Sequence, residues 1–111
     1  MDKKFEIIFL EDAIEFLNEL DEKPREKIIY NIDKAKSVND PKLFKKLTDL
    51  IWEFRTLYQK KQYRLLAFWD KDDKTETLVI TTHGFVKKKS KIDKKEIKRA
   101  EDIRKIYFDD K

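Results

Sequence analysis

At 111 residues the chain has room for one domain with one core, and residues 1–111 are read as a single unit. Its 8 Phe, 4 Tyr and 2 Trp can fill that core, while a charged fraction of 45% at net charge +4 leaves a densely ionic surface. The absence of Cys excludes disulfides, Cys-ligated zinc and thiol nucleophiles, and a single His excludes a His-rich metal site.

In chain order, residues 4–9 read as a short β-branched strand. Glu11 to Leu20 reads as a helix, with Ala13, Phe16, Leu17 and Leu20 on one apolar face. Pro24 suits the first turn of a second helix, where its missing N–H costs nothing; this helix runs to about Lys36 with Ile28, Ile29, Ile32 and Ala35 as its stripe. The two form a helical hairpin. Asp40-Pro41 looks like a helix start, and a short turn from Lys42 to Leu47 is expected after it. Residues 51–58 and 62–69 read as strands joined by Gln59-Lys60-Lys61, a hairpin connection without glycine. A polar turn, residues 70–74, leads to a last strand from Thr77 to Phe85. Asp93 and Glu96 stand at capping-box spacing and open a helix with Ile97, Ala100, Ile103 and Tyr107 on one side. The order predicts an α+β fold: an N-terminal strand and helical hairpin, a three-strand antiparallel meander and a C-terminal helix. The helices would lie on one face of the sheet, leaving the other free for a ligand.

Charge is unevenly spread. Residues 1–22 carry eight acids against two lysines, and residues 86–99 carry eight bases against two acids. Such bipolarity points to a polyanion at the basic end, or simply to two solvated helix faces. No apolar run approaches the ~20 residues of a membrane span. The N-terminus lacks a small-residue cleavage site, so a soluble, cytoplasmic protein without membrane contact is expected.

Alternation places Glu53, Arg55 and Leu57 on one strand face, and Arg64, Leu66 and Phe68 on one face of the next. On the last strand it groups His83 with Val79 and Thr81. The pattern permits Arg55, Arg64 and His83 on a common face, unless a bulge intervenes. Arg55 is either a phosphate fork or a partner for Glu53. Arg64, set among apolar neighbours, is either functional or part of a cross-strand ion pair. His83 is the one side chain titrating near neutrality, and is either an acid–base group or an ordinary half-buried strand residue. It precedes Gly84, where the backbone can approach a ligand. Lys87, Lys88 and Lys89 make a strongly positive stretch or a solvated loop. Tyr58, Tyr63 and Trp69 could stack on bases or fill the core.

Several of these segments carry a resemblance. Leu43-Phe44-Lys45-Lys46-Leu47, Ile51-Trp52-Glu53-Phe54-Arg55, Gln62 to Trp69, His83-Gly84-Phe85-Val86-Lys87-Lys88 and the ending Glu96 to Tyr107 resemble, in order and spacing, the RelE/ParE superfamily of type II toxins. The likeness is nearest to the phage-derived HigB-like branch and runs from the helical hairpin to about Phe108. It implies a RelE-like fold and a ribosome-dependent mRNA endonuclease, restrained by a cognate antitoxin of helix-turn-helix type through which alone it would meet DNA. In such enzymes the RNA 2′-hydroxyl attacks the adjacent phosphate without a metal or other cofactor. The resemblance assigns Arg55, Arg64, His83 and Lys87 to catalysis, and Lys88, Lys89, Glu53 and Tyr58 to RNA contact. Many relatives place a tyrosine or second histidine near the C-terminus as an acid or base; here Tyr107 stands there, on the core side of its helix. Rival functions are a ParE-like toxin acting on DNA gyrase, a non-catalytic RNA- or ribosome-binding module, and a degenerate toxin that only binds its antitoxin.

Overall fold

The computed structural model describes residues 5–71 and 78–111. The elements are β1 (Glu6–Phe9), α1 (Glu11–Glu19), α2 (Glu22–Ala35), β2 (Phe44–Lys46), β3 (Trp52–Tyr58), β4 (Lys61–Asp70), β5 (Leu78–Lys87) and α3 (Lys94–Asp109). They build one five-stranded sheet in the order β1-β5-β4-β3-β2, with β1 parallel to β5 and the other neighbours antiparallel. The α+β class, the helical hairpin and the C-terminal helix are as the sequence predicts. Lys4 and Thr77, expected at strand ends, lie outside the described residues, as do residues 72–74 of the expected polar turn.

Three expectations are corrected. The segment from Lys42 to Leu47 is not merely a turn: Phe44–Lys46 is an edge strand paired with Trp52–Phe54. Asp40 starts no helix; its carboxylate accepts from the Lys42 N–H at 2.9 Å and turns the chain into β2. The helices, moreover, are not confined to one face. The α1–α2 hairpin covers Phe54, Tyr63, Leu65, Ala67 and Val79. On the opposite face Ala100, Tyr107 and Phe108 of α3 pack on Leu66, Phe68 and Ile80. Leu66 and Phe68 alternate with Leu65 and Ala67, so β4 is apolar in both directions, as a strand buried on both faces must be. At its C-terminal end α3 is fixed by a buried carboxylate, Asp70, which accepts from the Tyr107 hydroxyl and the Lys111 ammonium, each at 2.6 Å.

Two local features shape the sheet. Tyr58 pairs with Lys61, so the β3–β4 turn holds only Gln59 and Lys60, both left-handed (φ 48° and 68°) as a type I′ turn requires. A bulge on β5 then breaks its alternation: Leu66 faces His83, but Ala67 faces Thr81, leaving Thr82 as the extra residue. His83 therefore shares its face with Leu66 and Ile80 rather than with Val79 and Thr81.

Gly84, the chain's one glycine, is approached by a helix and not left open for a ligand. A Cβ there would lie 2.2 Å from the Phe16 ring of α1. Gly84→Ala is thus expected to force α1 off β5 and lower stability by about 1–3 kcal/mol. Chemical denaturation would check this, and adding Phe16→Leu should restore part of the loss.

Candidate phosphate-binding site

Cross-strand pairing puts Glu53 opposite Leu66, Arg55 opposite Arg64, Arg64 opposite Phe85, and Gln62 opposite Lys87. Lys45 of β2 stands opposite Glu53. Directly opposed side chains emerge on the same face. Glu53, Arg55, Arg64, His83 and Lys87 therefore share the face that α3 packs on, joined by Lys45. Helix α3 covers the Leu66–Phe68 half of that face; among the described residues the half near Arg55 and Arg64 carries no helix.

Arg64 is only 3% exposed. Its Nε lies 2.9 Å from Glu53 Oε1, in an ion pair whose N–H is not aligned for a hydrogen bond. Its terminal nitrogens donate to the Tyr63 carbonyl at 3.0 Å and to Gln62 Oε1 at 2.9 Å. Burial pulls this guanidinium below its usual range; Glu53 opposes the shift and Arg55 adds to it. Arg55 is half-buried. Its Nε lies 3.9 Å from the same Glu53 oxygen, and its other contact is a 3.4 Å bond to the Pro41 carbonyl. Lys87 is pulled below the usual lysine range by burial first and by the Arg64 charge second, with Arg55 and Lys45 contributing and Glu53 opposing.

One buried carboxylate thus serves four cations: Lys45, Arg55, Arg64 and Lys87. The surplus positive charge opens onto two grooves. One, of about 300 Å³, is lined by Lys42, Arg55, Thr56, Leu57, Gln62 and Arg64. The other, of about 360 Å³, runs past Phe85, Lys87, Lys88, Lys89, Lys91 and Lys95. Such a surface suits a phosphodiester, whose oxygens accept from guanidinium and ammonium donors.

His83 belongs to the same face but not to its surface. Its ring is 1% exposed, one rung in from Arg64 and beside Phe85 at a centroid distance of 5.8 Å. Nε2 lies 3.1 Å from Glu96 Oε1, and Nδ1 lies 3.0 Å from the Thr82 hydroxyl. A carboxylate only accepts, so Nε2 carries the proton of the neutral ring. The Thr82 hydroxyl, also 3.2 Å from the Leu66 carbonyl, has one proton for these two acceptors. Burial first and the Arg99 charge second hold His83 below its ordinary value, outweighing Glu96. Glu96 therefore does not close a capping box; Asp93 caps the helix alone, accepting from the Lys95 N–H at 3.0 Å.

Of the other expected RNA contacts, Lys88 and Lys89 are exposed along the second groove. Tyr58 is on the opposite face, packed against the hairpin core, and Tyr63 is buried there. Tyr107 is held by Asp70 and packs edge-on against Phe68, in the half of the face that α3 covers. Lys45 and Lys42 were not singled out as site residues, because their segment reads as a turn; only the alternation of Phe44 and Lys45 hints at a strand.

Glu53→Gln is expected to destabilise the fold by about 3 kcal/mol, since it strands a buried guanidinium. A denaturant titration measures it. For His83, the unfolded chain takes up a proton near pH 6.5 while the folded ring resists it. Stability should fall as pH drops through 6.5 toward the lower folded value. A His83→Gln variant, compared by thermal melts across that range, should lose this part of the slope.

Residues 15–105 match the family model described as phage derived protein Gp49-like (DUF891). No curated protein sequence matches the chain. Among the described residues no helix is long and apolar enough to cross a membrane. The match is consistent with a toxin of a toxin–antitoxin pair, and it spans most of the structure, from α1 to the penultimate turn of α3. The chain belongs to the phage-derived Gp49-like family, itself part of the RelE/ParE-like toxin superfamily.

Proposed function

We propose that this protein is a toxin of the HigB-like branch and that it cleaves mRNA on the ribosome through attack by the RNA's own 2′-hydroxyl. The observation that carries the reading is the cluster of Lys45, Arg55, Arg64 and Lys87 around one carboxylate, on the half of the sheet without a helix. In this reaction the 2′-oxygen loses its proton and bonds to phosphorus, the bond to the 5′-oxygen breaks, and that oxygen takes up a proton. The products are a 2′,3′-cyclic phosphate and a 5′-hydroxyl. Negative charge builds on the non-bridging oxygens in the transition state, where preorganised donors act most strongly.

In this mechanism Arg55, the more accessible guanidinium, grips the non-bridging oxygens. Arg64 lends charge from beneath, fixed by Glu53, Gln62 and the Tyr63 carbonyl. Lys87 suits proton delivery to the leaving 5′-oxygen, because a depressed ammonium gives up its proton more readily. Lys88 and Lys89 hold the flanking backbone. Glu53 orients the arginines and does not touch RNA. His83, expected from the sequence to be an acid–base group, is assigned a positioning role: it anchors Glu96 and with it the start of α3, whose Lys95 borders the lysine groove. An antitoxin of helix-turn-helix type would restrain the toxin and supply any DNA contact.

Primer extension on a translated mRNA, in a reconstituted translation system, tests this. Wild-type protein should cut at ribosome-occupied codons. Arg55→Ala and Lys87→Ala should each lower cleavage by about 100-fold or more. His83→Gln, corrected for its folded fraction, should keep most activity and its pH profile. Absence of cuts by folded wild-type protein overturns the nuclease reading; a folded but inactive His83→Gln overturns the positioning role.

A further inference from the structure

The strongest unassigned site lies at the other end of the sheet. A cavity of about 500 Å³ is lined by Trp52, Trp69, Lys46, Lys71, Arg104 and Asp49, with Leu50 at its edge. Both tryptophans of the chain are here, half-buried, their rings 5.7 Å apart and nearly perpendicular at 85°. They are backed by other rings. Phe44 stacks on Trp52 at 4.9 Å, and Phe5 meets Trp69 edge-on at 5.3 Å. Aromatic packing of this kind holds the indoles in place before any ligand arrives. Neither indole N–H has a hydrogen-bond partner among the described residues.

Three cations surround the indoles against one acid. Lys71 Nζ lies 5.5 Å above the Trp69 ring. Arg104 leans on Phe108 with its Cζ 4.9 Å from the ring centre. Among the described residues neither has a carboxylate partner. Lys46 is 3.9 Å from Asp49, an exposed and weak pairing. Rigid indoles beside unneutralised cations recognise a flat aromatic ring joined to an anionic group, which is the chemistry of a nucleotide's base and phosphate.

The edge strand links this cavity to the arginine cluster. Lys45 pairs with Glu53 and faces Arg55 and Arg64; Lys46 pairs with Trp52 and faces the indoles. A single strand crossing β2 would meet both lysines in turn. We propose that the Trp52–Trp69 cavity is a nucleotide-binding subsite that stacks one base and holds its phosphate with Lys46, Lys71 and Arg104. The proposal goes beyond the cleavage reading and does not depend on it.

Intrinsic fluorescence reads this site directly, because the only two tryptophans line it. The full chain is titrated with AMP, with a short oligoadenylate, and with tripolyphosphate as a base-free control. Saturable quenching by a nucleotide, absent with tripolyphosphate, is expected. Quenching by AMP identifies a free nucleotide as sufficient, and quenching by the oligomer alone identifies single-stranded RNA. The double variant Lys71→Glu/Arg104→Glu should weaken binding at least about tenfold, the scale of one lost hydrogen bond to a charged group. Arg55→Ala and Lys87→Ala should leave quenching by AMP unchanged even where they abolish cleavage, which separates failure of one reading from failure of the other. No quenching by either nucleotide, equal response to tripolyphosphate, or indifference to the charge reversals overturns the subsite and leaves the two indoles as the aromatic end of the core.

Discussion

The ion pair of Glu53 with Arg64 sets the terms for one whole face of the sheet. A guanidinium sunk between strands needs a carboxylate, and Glu53 supplies it at 2.9 Å. The same oxygen also stands 3.9 Å from Arg55, so its single charge is divided. Lys45 and Lys87 join the same face, and the acids of the lysine groove, Asp93 and Glu96, belong to the start of α3. The Nε groups of Arg55 and Arg64 are buried without an aligned acceptor, and the cluster remains electrically in surplus. A buried pair is seldom retained for stability alone; here it holds positive charge where an anion can reach its rim.

Helix α3 divides that face into two environments. Over Leu66, Phe68 and Ile80 it removes apolar surface from water with Ala100, Tyr107 and Phe108. It leaves the Arg55–Lys87 end uncovered, where burying four cations would cost far more than hydrophobic contact returns. His83 stands at the border between the two. Its link to Glu96 and the Arg99–Asp12 ion pair at 2.9 Å tie α3 to the sheet and to α1 at this border. Of the groove lysines, Lys95 thus stands on a helix whose first turn is anchored from below.

Much of this was legible in the sequence. Periodicity located both hairpin helices and α3, and alternation sorted β3 and β4 correctly, which is why Arg55 and Arg64 could be placed together. Three things were not legible. Phe44–Lys46 is too short for a period-2 signal to stand out from a turn. The bulge at Thr82 follows from the mismatch between β4 and β5, which no local pattern in β5 encodes. The full burial of His83 depends on where α3 lands, a long-range fact, and a ring that reads as at most half-buried is sealed beneath Glu96. Gly84 reads in the sequence as a point where the backbone could approach a ligand, but the body that approaches is Phe16 of the same chain. Trp69, weighed as a base-stacking residue, gains its context only from Trp52 and the cations that tertiary structure assembles around both.

The pairing of β1 with β5 has a consequence in time. Ile7 lies beside Val79, so these strands are separated by about seventy residues of intervening chain. During synthesis β1 has no partner until β5 has left the ribosome, whereas the α1–α2 hairpin and the β3–β4 pair are already complete. Helix α1 docks on β5 as well, through Phe16 and Gly84. Strand β1 and helix α1 therefore cannot reach their final places until the strand bearing His83 and Lys87 exists. The arginines emerge first, and the scaffold that aligns them closes only once β5 has been made.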